Sequence, residues 1–225
     1  MTRTTNARIA GFTFLLYIAA GIASLVLFRG ATSGEGIAAK LAGIAEHATD
    51  VSVLVLLGLV QCFSALVLAV TLYAITREQD EDLAMLGLTC RVGEGIIGGL
   101  SIPVTLTLLW LATSTGPDAP ATDAAHALAA YLLRDDVALT GTFFAVGSLL
   151  FAYLLLRGRM IPMPLAWLGV GASALLVVGL PLRLAGFVPG PTTSLMWLPM
   201  LGFEVPLALW LLIRGVATPT RTQGA

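Results

Sequence analysis

Residues 83–112 read LAMLGLTCRVGEGIIGGLSIPVTLTLLWLA, a stretch of thirty residues whose only charges are Arg91 and Glu94. About 20 predominantly apolar residues suffice for a helix to cross the hydrocarbon core of a bilayer. An ionisable side chain in that core costs roughly 2.5–3.5 kcal/mol on the lenient insertion scales, so it turns toward a bundle interior or a wet cavity. This stretch therefore predicts a membrane helix with one polar face, and that face needs neighbouring helices to cover it.

Five further stretches are as long and as apolar. With the third at Leu83–Ala112, the spans run Arg8–Phe28, His47–Ile75, Asp136–Leu156, Pro164–Ala185 and Ser194–Ile213. Their length and lack of dyad alternation favour helices over a barrel. The expected fold is all-α: a polytopic membrane bundle of six transmembrane helices, one integral membrane domain over residues 1–225. Composition agrees. Hydrophobic residues make up 57% of the chain, mean hydropathy is +0.92 and only 11% of residues are charged, about half the share in soluble domains.

The net charge of −1 and the lack of a basic stripe give no footprint for nucleic acid. Cys62 and Cys90 lie in apolar stretches and form no C-x-x-C motif, and the histidines are His47 and His126. No conventional zinc or haem site is expected, and no cofactor. There is no glycine-rich phosphate loop, no G-x-S-x-G, no H-E-x-x-H and no EF-hand pattern.

Arginine and lysine placement sets the expected orientation. Arg3, Arg8, Arg77, Arg157, Arg159, Arg214 and Arg221 fall on one side of a six-helix alternation, and Arg29, Lys40 and Arg134 on the other. Seven against three predicts both termini in the cytoplasm. A signal peptide cleaved near Gly30 or Ala31 is the alternative for the first span. Its apolar run exceeds an h-region of about 7–15 residues, so it reads as a true helix. In the outer loop Thr113–Asp135, the segment Asp123–Leu133 predicts a short amphipathic helix. Ala124, Leu128 and Leu132 would share its apolar face, lying in the interface as a lid or collar.

Steps of three and four residues gather polar side chains into stripes. The third span carries Arg91, Glu94, Gly98, Ser101 and Thr105. The second carries Asp50, Leu54, Leu57, Gln61 and Ser64, the first Thr13, Tyr17, Gly21 and Ser24, and the fourth Asp136, Thr140, Phe143 and Gly147. At about 1.5 Å per residue, Glu94 and Glu204 fall near the midplane and Arg91 about a turn nearer the cytoplasm. Arg183, Asp50 and Arg134 to Asp136 fall at the outer ends. The expectation is an outward-facing vestibule floored by two carboxylates. Pro199 and Pro206 flank Glu204, and each removes a helical N–H, so the sixth helix is expected to be distorted there. Trp197, Met200, Phe203, Phe143, Phe144 and Trp110 would form apolar walls. Arg91 and Glu94 can pair at i,i+3, and Glu204 can pair with Arg91 or Arg183. Such a network can equally serve packing alone.

At these residues the chain resembles a bacterial family of small multi-pass proteins called domain of unknown function four-three-eight-six. The resemblance rests on Arg8-Ile9-Ala10-Gly11, Leu72-Tyr73, Arg91-Val92-Gly93-Glu94, Pro162, Glu204, Leu209-Trp210-Leu211-Leu212 and Gly215. Family members often carry a histidine in the outer half of the fourth helix, where this chain reads Leu133-Arg134-Asp135-Asp136. Membership implies a six-helix membrane protein and no particular activity; the expected location is the bacterial cytoplasmic (inner) membrane.

Three functions fit these residues. In the first, Glu94 and Glu204, aided by Arg91, are the acid–base pair of a cofactor-independent isomerase, cyclase or lyase. One protonated and one ionised acid is what such chemistry needs. Asp50, Gln61, Tyr17, Phe143, Arg183, Trp197, Met200 and Phe203 would then bind a lipophilic, isoprenoid-like substrate. In the second, the carboxylates carry a proton or a cation in a transporter or solute-binding subunit. In the third, the charges only shape a helper or sensor. The expected partners are membrane lipid and a lipophilic small molecule, without nucleic acid.

Overall fold

A computed structural model describes residues 1–117, 119–134 and 138–217, the side chains of 190–194 excepted. Among them the chain forms α1 (Arg3–Ala31), α2 (Gly36–Glu46), α3 (Ala48–Thr76), α4 (Glu81–Gly99), α5 (Ser101–Thr113), α6 (Thr122–Leu132), α7 (Ala138–Arg157), α8 (Met163–Leu184) and α9 (Gly190–Ile213). Six helices are long and apolar enough to cross a membrane, with α4 and α5 together making one of them. Asp135 and Asp136, where the fourth span was expected to begin, lie outside the described residues.

The six spans close into a ring. Helix α1 packs on α3, α3 on α4, α4 on α7, α7 on α8 and α8 on α9, and α9 returns to α1. A Cβ on Gly11 would lie 2.6 Å from the Ala208 carbonyl oxygen, so only glycine lets α1 and α9 come this close. The ring turns apolar side chains outward: Val26, Phe63, Ile96 and Val178 are all exposed. A soluble protein does not leave such a belt in water, and lipid covers it at no cost. Inside, Phe14, Leu68, Leu72, Phe144, Leu176, Met200 and Leu207 belong to one continuous core.

Helix starts follow local chemistry. The Thr2 hydroxyl accepts from the Thr5 N–H, and the Asp80 carboxylate accepts from the Leu83 N–H at 3.1 Å, with Glu81 and Asp82 in the first turn of α4. These oxygens satisfy amides that have no partner within the helix. At the end where α1 begins and α9 finishes, called here the Arg3 end, ion pairs Arg3–Glu78 (3.3 Å) and Arg157–Asp80 (3.2 Å) tie neighbouring elements together.

Four features go beyond the sequence expectation or depart from it. The third span is interrupted at Leu100. Pro103 has no N–H to offer the Gly99 carbonyl, and the Gly98–Gly99 pair before it adds freedom, so the chain ends α4 and restarts as α5. Conversely, α9 is a continuous helix through Pro199 and Pro206, so those prolines do not break it. The connection between the first and second spans holds a helix of its own, α2. Finally, α6 forms where the amphipathic helix was expected. Ala125 and Ala129 are buried, and Ala124 and Leu128 are exposed. The small alanines allow α6 to sit close to α2 and α5. With Ala31, Leu41, Ile44, Val51, Leu54, Leu108 and Leu111 they form a second apolar cluster at the end opposite Arg3.

Candidate functional site

Arg91, Glu94 and Glu204 come together inside the ring. Arg91 and Glu94 stand three residues apart on α4 and so share its inner face. The Arg91 Nη1 donates to Glu94 Oε2 at 2.7 Å, and Nη2 lies 3.7 Å from Glu204 Oε1 on α9. From α1, the Tyr17 hydroxyl donates to Glu94 Oε1 at 2.7 Å. Glu94 is thus held on both oxygens, while Glu204 has one long ionic contact. The relative exposures of Arg91, Glu94 and Glu204 are 1%, 2% and 6%.

The guanidinium is also held by aromatic faces. Its carbon lies 4.6 Å from the centre of the Phe144 ring and 5.7 Å from that of Phe14, both within cation–π range. Phe144 in turn packs on Trp197, with ring centres 5.5 Å apart and planes tilted by 40°. The stem of Arg91 crosses Gly147 on α7, where a Cβ would lie 3.0 Å from Arg91 Cγ. Arg91 therefore joins α1, α4, α7 and α9 through one side chain.

A cavity of about 10 Å³ borders Arg91 and Glu204 and is also lined by Phe14, Ser148, Phe151 and Phe203. That is room for about one water molecule. Two buried polar atoms near it, Arg91 Nε and Ser148 Oγ, have no hydrogen-bond partner among the described residues. A lipid-sized substrate does not fit this space.

The other sequence candidates are spread over the bundle. Phe203 lines the cavity and lies over Gly169, where a Cβ would come 2.5 Å from its ring. Met200 is a buried core residue, and Trp197 reaches the site only through Phe144. Phe143 points elsewhere: its ring packs on Gly93 of α4. Gln61 donates to the Ser24 hydroxyl at 3.2 Å and so ties α3 to α1. Asp50 sits in the first turn of α3 and Arg183 in the last turn of α8, both at the end opposite Arg3. Arg91 lies ten residues into α4, about 15 Å from the Arg3 end at 1.5 Å per residue. Asp50 lies twenty-six residues from the end of α3, about 39 Å from the same end. Asp50 and the triad are therefore not one site. Ser101 and Thr105 lie on α5 beyond the interruption at Leu100: Ser101 is exposed, and the Thr105 hydroxyl donates to the Ser101 carbonyl. Trp110 is on an exposed face of α5.

Phe14 and Ser148 belong to the site without having been picked from sequence. Each had a positional signal: Phe14 is three residues before Tyr17, and Ser148 is four after Phe144.

A family model described as Domain of unknown function (DUF4386) matches residues 9–215. The chain belongs to this family. The match reaches into all six membrane helices and includes every residue of the Arg91–Glu94–Glu204 triad, so the site lies within the region that the DUF4386 model covers. No curated protein and no solved structure matches the chain.

Proposed function

We propose that the triad is a proton-exchange site and that the protein is a proton-coupled membrane transporter of a small solute. The observation that carries this reading is the imbalance of charge: two buried carboxylates share one guanidinium. Fully ionised, the group has one net negative charge in a low-dielectric interior, which is costly. One proton makes it neutral. Glu204 is the carboxylate that takes it, because Glu94 is held at 2.7 Å on both oxygens whereas Glu204 has only the 3.7 Å contact and borders the water-sized cavity. Protonating Glu204 removes the charged link between α4 and α9, and so couples the proton to helix packing.

An acid–base enzyme would use the same two carboxylates. The cavity of about 10 Å³ weighs against a lipophile held beside them. The membrane we assign is the bacterial cytoplasmic membrane with the Arg3 end inside, supported by the arginine and lysine asymmetry and the family resemblance.

Infrared difference spectroscopy of the purified protein between about pH 5 and pH 9 tests the proton site. A protonated-carboxyl band that changes with pH in the wild type, persists in Glu94→Gln and is missing in Glu204→Gln is the expected result. A wild type with no such band over that range would overturn the proposal.

A further inference from the structure

A groove of about 450 Å³ opens at the Arg3 end, between the α7–α8 turn and the end of α9. Arg159, Met160, Pro162, Trp210, Arg214 and Ala217 are among the residues that line it. Its floor is fixed by the Ala217 N–H, which donates to the Met160 carbonyl at 3.0 Å. Both arginines are exposed, and neither has a carboxylate partner among the described residues, unlike Arg3 and Arg157 at the same end.

The backbone of Arg159 supplies a second, independent observation. Its φ is 49°, the only positive value of a non-glycine residue among those described. The Arg159 N–H donates to Leu156 O and the Met160 N–H to Leu155 O, both at 3.0 Å. These two bonds close α7 in a Schellman motif and put Arg159 at the left-handed position that glycine normally fills. An L-residue there is disfavoured. Strain of this kind clusters at ligand sites, and here the side chain borders the groove.

We propose that the groove binds the phosphate of an anionic phospholipid. Arg159 and Arg214 supply the matching charge. Trp210 places the headgroup at the depth where indole rings sit at a membrane interface. Basic pockets at the ends of membrane helices recognise lipid headgroups in this way, and the groove has the volume of a small-ligand site. The groove lies at the end of the bundle, apart from the triad, so the inference does not depend on the proton-exchange reading.

Native mass spectrometry of the full chain, released from detergent after titration with phosphatidylglycerol or phosphatidylcholine, tests this. The wild type is expected to retain phosphatidylglycerol in preference to phosphatidylcholine. Arg214→Ala and Arg159→Gly are each expected to lower that retention about fivefold, the scale of one arginine at a charged membrane surface. Arg159→Gly separates binding from folding: glycine relieves the left-handed strain, so this variant melts no lower than the wild type while losing lipid. Equal retention in the wild type and both variants, or no preference between the two lipids, would overturn the proposal. So would displacement of phosphatidylglycerol by inorganic phosphate at equal concentration, which would make the ligand a free anion.

Discussion

Arg91 and Glu204 meet at 3.7 Å across the interior of the ring, from helices α4 and α9 that are not neighbours in it. The main helix packing joins ring neighbours, whereas the Arg91–Glu204 pair, like the Tyr17–Glu94 bond from α1 to α4, spans the middle. The strength of the pair therefore bears on the packing of the whole bundle, and the triad is where charge and architecture meet.

Removing Arg91 leaves two carboxylates buried without a cation. Arg91→Met is expected to destabilise the protein by about 3–5 kcal/mol, the usual cost of orphaning a buried charge. The triple variant Arg91→Met, Glu94→Gln, Glu204→Gln removes every charge of the triad and is expected to recover most of that loss. Thermal unfolding in detergent measures both. Simple additivity of the three changes would show that the groups do not act as one network.

Tyr17 is the only hydroxyl donor to Glu94 among the described residues. A hydrogen bond to a charged group contributes about 1.5–3 kcal/mol, so Tyr17→Phe is expected to cost that much. In a Glu94→Gln background the cost should shrink, because the acceptor is then neutral. An undiminished cost in that background would mean that Tyr17 acts through packing alone.

Much of this was legible in the sequence, for a physical reason. Transfer cost adds along a helix, so six apolar runs stand out. Arg91, Glu94 and Glu204 stand out against them because each is expensive there. Tyr17 followed from helical spacing. Phe14 and Phe144 were harder, since an aromatic in an apolar helix reads the same whether it faces lipid or a guanidinium. Phe143 and Phe144 differ by one position, which is about 100° of rotation, and only packing decides between them. Proline was ambiguous for a similar reason. It breaks the chain at Leu100, after two glycines, and is absorbed within α9, where the neighbouring helices α8 and α1 hold the chain. Helix α2 has eleven residues, too short for a span, and left no signal at that scale.

Gly11 is expected to be intolerant of even a methyl group. The added Cβ would lie 2.6 Å from Ala208 O and from Leu212 N, both backbone atoms that cannot rotate away. Gly11→Ala must push α1 from α9, with an overpacking cost of about 1–3 kcal/mol. Gly171→Ala on α8 is the matched control, because nothing lies within 4 Å of its Cβ. A lower melting temperature for the first and an unchanged one for the second is the expected pair of results. Equal melting of the two would mean that the α1–α9 seam is looser than its geometry.

Pro103 sets the break in the third span, and its replacement should heal it. Pro103→Ala supplies the N–H that the Gly99 carbonyl lacks and removes the ring that crowds that turn. A proline in a helix interior costs about 3 kcal/mol relative to alanine, so the upper limit of the gain is of that order. The realised gain will be smaller, because α5 already packs on α3 and α2 in its present direction and a straightened helix must give up part of those contacts. Two measurements separate these effects. Hydrogen exchange at residues 100–103 should slow if the helix becomes continuous, and the melting temperature should rise. Slower exchange with a lower melting temperature would mean that the interruption at Leu100 is worth more to the packing of α5 than the missing hydrogen bond. Unchanged exchange would show that the Gly98–Gly99 pair, and not the proline, breaks the helix.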